Sequence, residues 1–260
     1  MSERMASRDA QGSARPTEKT PNRTASAPPH GTAAAPAPSA QTPTSAGLAG
    51  FGPRLAPRDR REEIVDGAAE MFAEHGYHGA SLRDISSHIG ISHSGMLHHF
   101  ESKDALLDGV IDRLEEHAQV ALDRAEELAA DRGALLRGLA EVWHPASLPI
   151  RLLATLDAES VSEDHHGRYR MARLRRVHEH ILESCFSAFA ERGLLREDAD
   201  PAFAGRALLA VVLNLAVREK TVRPLQHRSH DDAPLKDLAM QVATSFRDEP
   251  AEESAPSPEA

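Results

Sequence analysis

The stretch SLRDISSHIGISHSGMLHHF, residues 81–100, decides the fold of this chain. Leu82, Ile85 and Ile89 recur at helical spacing behind Ser81, whose hydroxyl can accept from the free N–H groups of a first turn. Gly90 then offers a residue that takes positive φ, and Ser92 follows as a second N-cap. The spacing predicts a short helix, a tight turn and a second short helix over residues 93–99. That is the helix-turn-helix pattern, whose second helix enters the major groove of DNA.

Upstream, a helix is expected over about residues 58–75, with Ile64, Ala68 and Phe72 in one i, i+4, i+8 row facing the motif and Gly76 at its end. Arg58, Arg60 and Arg61 crowd its first turn, where acids are usual. A nearby phosphate is one cause, and three solvated arginines are the other. Downstream, Ser102 caps a helix whose apolar row is Leu107, Ile111, Leu114, Ala118, Ala121, Ala125 and Leu128. It is expected to run, with a break, to about residue 130.

The run GYHGASLRDISSHIGISHSGMLHHFESKDALL, residues 76–107, resembles the DNA-binding domain of the tetracycline-repressor (TetR) family of transcriptional regulators. The resemblance rests on Phe72 and Gly76 ahead of the motif, Ile85, Gly90, Ile91 and Ser92 within it, and His99-Phe100 followed by Ser102-Lys103 after it. The chain departs from the family pattern at Ser94, where Gly is common, at Gly95, where Ser or Thr is common, and at Leu97, where a phosphate-binding Tyr is usual. His98 or His99 is expected to replace part of that phosphate contact. Candidate DNA contacts are therefore Arg60, Arg61, Ser81, Arg83, Ser92, His93, Ser94, Gly95, His98 and His99, and the resemblance adds Lys103 as a phosphate contact.

The helical periodicity gives an all-α fold class, and the resemblance implies its division into an N-terminal three-helix DNA-binding domain and a C-terminal helical ligand-binding and dimerisation domain. No sustained period-two alternation occurs after residue 130, and helices are expected over about 134–143, 149–161, 166–192, 202–221 and 234–246. Within the fourth of these, ALLAVVLNLAV is apolar nearly all round, so it must be covered on every side. The resemblance implies that the last two long helices form a four-helix interface in a homodimer. Leu208, Val211, Val212, Leu215, Leu238 and Val242 are the candidate interface residues.

The resemblance also implies a small, largely apolar ligand in the C-terminal bundle that releases the protein from a palindromic double-stranded operator. Trp143, His144, Arg151, Met171, His178 and Phe186 combine apolar faces with polar tips and are the candidate lining, although ordinary core or surface placement explains each one singly. The 15 histidines raise a metal- or pH-responsive alternative. Adjacent residues such as His98-His99 and His165-His166 diverge on a helix, however, and no thiolate pair is available, so no metal or cofactor is expected. Asp164-His165-His166 matches a phosphoesterase tripeptide, but no strand precedes it and no further acidic ligands surround it, which argues against an enzyme. A helical protein adaptor is the remaining alternative.

Composition sets the outer bounds. With 30 Lys+Arg against 40 Asp+Glu the net charge is −10, yet residues 85–100 contain no acid, and sequence-specific readers need a positive face rather than a positive total. One Cys excludes a disulfide framework, which suits a reducing cytoplasm. No apolar run is expected to span a membrane and no signal-peptide core is apparent, so cytoplasmic localisation without a membrane partner is expected. Residues 1–53, rich in Ala, Pro, Ser and Thr, read as a disordered tail whose excess of basic residues suits either a solvated extension or a DNA-touching arm. The expected divisions are 1–53 tail, 54–104 DNA-binding domain, 105–247 regulatory and dimerisation domain, and 248–260 acidic tail.

Overall fold

Asp59 turns its carboxylate onto the N–H of Arg61 and starts α1, Arg60–Gly79, in a computed structural model that describes residues 59–225 and 233–247. Arg58 and the two expected tails, 1–53 and 248–260, lie outside the described residues. The Ile64, Ala68 and Phe72 row is fully buried. Gly76, at φ 75° and ψ 169°, interrupts the helix, and a last turn continues past the break to Gly79. An L side chain avoids that backbone, so glycine marks the break.

Serine caps set the next three helices. Ser81 accepts from Asp84 N at 3.2 Å while Asp84 accepts from Ser81 N at 3.2 Å, a reciprocal box that opens α2, Leu82–Ile89. Gly90, at φ 76°, ends it, and Ser92 accepts from Gly95 N at 3.0 Å to open α3, His93–His99. Ser102 accepts from Ala105 N at 3.0 Å and opens α4, Lys103–Asp123. The helix breaks at Arg124 and resumes as α5, Ala125–Leu128.

The remaining elements are α6, Arg132–Glu141, α7, Leu148–Glu159, α8, Arg168–Glu191, α9, Pro201–Thr221, a 3-10 turn, Arg223–Leu225, and α10, Ala233–Ala243. The helix expected over 234–246 stops early. Its successors leave the helix because Ser245 O accepts from Arg196 N and Leu194 O accepts from Arg247 N, each at 3.1 Å, which pairs Leu195 with Phe246 in an isolated antiparallel bridge. Among the described residues all other regular structure is helical, so the class is all-α.

Packing around α8 decides how the C-terminal half is held. Arg170 of α8 reaches Asp112 at 2.6 Å and Glu115 at 2.9 Å on α4, Arg175 reaches Asp157 of α7 at 2.5 Å, and Glu183 takes Arg206 of α9 at 3.1 Å. Beneath these ion pairs the facing residues are apolar: Leu174, Ile181, Leu182, Phe186 and Phe189 are buried on α8, as are Leu208, Leu209 and Val212 on α9. The buried faces supply the stability, since partly exposed ion pairs contribute little each.

Two expectations bear on α9 and α10. Leu208, Val212, Leu215, Leu238 and Val242 are buried within the single chain and face its own core; of the expected set Val211 alone is partly exposed. A helix apolar on all sides presents one face to its own domain, and its other face carries Phe203 (64% exposed), Ala210, Asn214 and Val217 (45% exposed) at helical spacing. The second concerns length: α9 has the length and composition of a membrane span, with a mean hydropathy of 1.4 in its most apolar window. Its inner face is instead occupied by α7, α8 and α10.

Candidate nucleic-acid interface

The caps and buried anchors of the N-terminal domain leave a defined set of side chains outside. Ile85 and Met96 are fully buried and fix α2 and α3 against the rest of the core. Gly90 N and Ile91 N donate to Ser87 O (3.2 Å) and Ser86 O (2.9 Å), which holds the turn between the two helices. With Met96 turned inward, His93, Ser94, Leu97 and His98 face outward and are exposed, while Gly95 and His99 are partly covered. The His98 and His99 rings meet edge to face, with centroids 5.5 Å apart.

The other candidate contacts divide by what they already hold. Arg83 is exposed. Ser81 and Ser92 spend their hydroxyls on the caps, and the bonds from Ser81 hold the Asp84 carboxyl below its ordinary range. Arg60 pairs with Glu63 at 2.6 Å, and Arg61 lies 4.6 Å over the Phe100 ring at the end of α3. Glu62 and Glu63 stand in the same first turn, so the arginines do not crowd it alone. Lys103, expected at a phosphate, donates instead to Tyr77 O at 2.9 Å and Ala80 O at 3.1 Å, with its ammonium 4.2 Å above the Tyr77 ring. These carbonyls lie beyond the break at Gly76, at the end of α1, and the ammonium satisfies them.

Three further links tie the N-terminal helices to the C-terminal half. Glu159 at the end of α7 accepts from Tyr77 N at 2.6 Å and His78 N at 3.3 Å. Lys220 at the end of α9 donates to Ala73 O at 3.1 Å and to Glu74 O, carbonyls freed by the break in α1. Arg151 of α7 pairs with Glu74 at 3.3 Å. A cleft of about 340 Å³ opens between these links, lined among others by Thr155, Ala158, Ala216 and Val217. The Tyr77 hydroxyl donates to Asp104, and burial together with that carboxylate raises its pKa.

Of the six residues expected around a ligand, two are in direct contact. Trp143 Nε1 donates to His178 Nδ1 at 3.2 Å, so these two are brought together, and both are buried. Met171 and Phe186 are packed in the core; Phe186 sits in an aromatic group with Phe189 and Phe246. His144 Nδ1 accepts from Ala146 N in the turn after α6, and Arg151 lines the cleft near α1. Met171, His178 and Phe186 share α8, Trp143 and His144 follow α6, and Arg151 lies on α7.

Sequence spacing also overlooked His117, which joins the Trp143–His178 pair from α4: its ring lies 6.3 Å from His178 and its Nε2 meets Val142 O at 2.9 Å. Burial lowers the His178 pKa to about 3, and lowers that of His117. His165, which the sequence offered only within Asp164-His165-His166, is buried as well. It is 3% exposed, neither ring nitrogen has a hydrogen-bond partner, and it packs on Tyr77 and His78 with centroids 5.2 and 5.8 Å away. Its pKa is lowered by burial first. Its neighbour His166 pairs with Asp108 at 3.1 Å. Among the described residues no three His, Cys, Asp or Glu side chains are placed to hold a metal ion.

Comparison with known proteins bears on the N-terminal domain most directly. Residues 64–110 match the model of the bacterial regulatory proteins of the tetR family. The HTH-type transcriptional repressor AcnR of Corynebacterium diphtheriae is 47% identical over 47 residues, which cover 18% of this chain and 25% of that protein. The chain thus spans about a quarter of the length of the curated relatives it matches first. A longer, weaker likeness, 25% identity over 149 residues, extends to the HTH-type transcriptional regulator UidR of Escherichia coli and covers 57% of this chain and 76% of that one. Among solved structures, AibR in complex with isovaleryl coenzyme A and operator DNA is 20% identical, with a TM-score of 0.56, covering 72% of this chain and all of that one, a likeness of fold.

Proposed function

From the premise that its helix-turn-helix domain is that of the tetR family, we propose that this protein is a homodimeric transcriptional regulator, acting as a repressor, that binds a roughly palindromic operator through paired α3 helices and is released by a small molecule. The observation that carries the reading is the outward side of α3: capped at Ser92, anchored by Met96, and presenting His93, Ser94, Leu97 and His98 with no acid between residues 85 and 100. Such a face suits base edges, with Arg60, Arg61, Arg83 and His99 near enough along the same domain to serve the flanking backbone.

Pairing is supported by the apolar stripe left bare on α9, Phe203, Ala210 and Val217, and by Met240 of α10 (71% exposed). Two-fold pairing of the protein would impose two-fold symmetry on the DNA. We assign residues 54–104 to DNA reading and 105–247 to regulation and pairing. The relatives are regulators, and no catalytic role is assigned. Release by a ligand requires a state in which the reading heads are held differently. The links from Glu159, Lys220 and Arg151 to α1 are the contacts through which occupancy of the C-terminal half would reach the head.

The test is selection of bound sequences from a random duplex pool with the full chain. An enriched inverted repeat supports the proposal. Equal retention of all duplexes overturns it.

A further inference from the structure

Among the described residues of α3, Leu97 is the large apolar side chain left outside, 42% exposed, while Met96 and Phe100 on either side of it in sequence are buried. It stands one turn from His93 at i, i+4 and from Ser94 at i, i+3, so the three share a flank of the helix. That flank is the one offered to base edges under the proposed function, on which this inference rests. Leucine neither donates nor accepts a hydrogen bond, so it cannot hold a phosphate oxygen or a polar base edge. The apolar feature on the floor of the major groove is the C5-methyl group of thymine.

We propose that Leu97 reads a thymine methyl group in each half-site, making it a specificity-determining residue that works by apolar contact between hydrogen-bonding neighbours. His93 and Ser94 would then set the bases beside that thymine, and the identity of the base at the Leu97 position would depend on its methyl group alone. A leucine that merely pads the sugar-phosphate backbone would show no such dependence.

The experiment uses the full chain and an operator taken from the selection above. Each thymine of a half-site is replaced in turn by uracil, which removes the methyl group and leaves the hydrogen-bonding edge intact. Binding is measured by fluorescence anisotropy. One symmetric thymine position is expected to cost about four-fold per half-site, the effect of losing one buried methyl group. Leu97→Ala should weaken binding to the thymine operator by a similar factor and lose the uracil effect, whereas Leu97→Met should keep it. Because the side chain is exposed, both variants should retain the parent circular dichroism. A uracil effect that persists undiminished in Leu97→Ala assigns the methyl contact to another residue and overturns the inference. A preferred operator indifferent to uracil at every position overturns it alone, and a pool with no preferred sequence overturns the DNA-reading proposal together with it.

Discussion

Glu159 accepts the main-chain N–H of Tyr77 at 2.6 Å, so a carboxylate at the end of α7 caps the break that Gly76 makes in α1. The bond joins the N-terminal helices to the C-terminal half. Glu159→Ala should strand two donors, the N–H groups of Tyr77 and His78, at a cost of about 1–3 kcal/mol. Chemical denaturation should register that loss, with Glu159→Gln intermediate because an amide oxygen still accepts. Equal stability of the alanine variant and the parent would show that the link is dispensable.

Lys103 gives a second test because its position suggests one role and its contacts another. Bonded to Tyr77 O and Ala80 O, it should act on the fold. Lys103→Met is expected to destabilise by about 1–3 kcal/mol while leaving the slope of log affinity against log salt unchanged. A slope reduced by about one, with unchanged melting, would restore the phosphate contact.

Buried neutral histidines set an acid limit on stability. The folded pKa of His178 is lowered to about 3, below the unfolded value of about 6.5, and those of His117 and His165 are lowered as well. The unfolded chain therefore binds protons first. The histidine contribution is fully present above about pH 6.5 and is lost as pH falls from there toward 3, by at most about 1.4 kcal/mol per pH unit for each histidine. Denaturation midpoints at pH 7.5, 6.5 and 5.5 should decline on the acid side. His165→Phe should shrink that decline, because it removes a ring whose nitrogens have no partner. An acid limb unaltered in the variant would clear His165 of any part in it.

The two faces of α9 should respond oppositely to charge. Phe203→Glu, on the bare stripe, should leave helicity unchanged and convert a dimer to a monomer in sedimentation velocity. Leu208→Glu, buried in the single chain, should unfold the protein instead. A Phe203→Glu protein that sediments as the parent does would move the pairing surface elsewhere.

Comparison of the caps with the links shows what the sequence could disclose. Ser81, Ser92 and Ser102 each bond within three residues, so their local pattern announces three helix starts. The contacts Lys103–Tyr77, Glu159–Tyr77 and Lys220–Ala73 span 26, 82 and 147 residues, and no local periodicity encodes them. Trp143 and His178 were each legible as polar tips on apolar bodies; that they meet, with His117 beside them, depends on how α4 and α8 pack. For α9 the even distribution of apolar residues signalled full coverage and left open which side its own chain would take. Composition counts apolar surface without assigning it a partner.

Gly76 has a consequence for heredity. A side chain there would enter the space of the Glu159 carboxylate and would also strain the backbone at φ 75°. Few missense changes at this codon should be neutral in this fold, and under the proposed repressor function a selection for loss of control should recover substitutions here far more often than at the solvent-facing codons of the same helix.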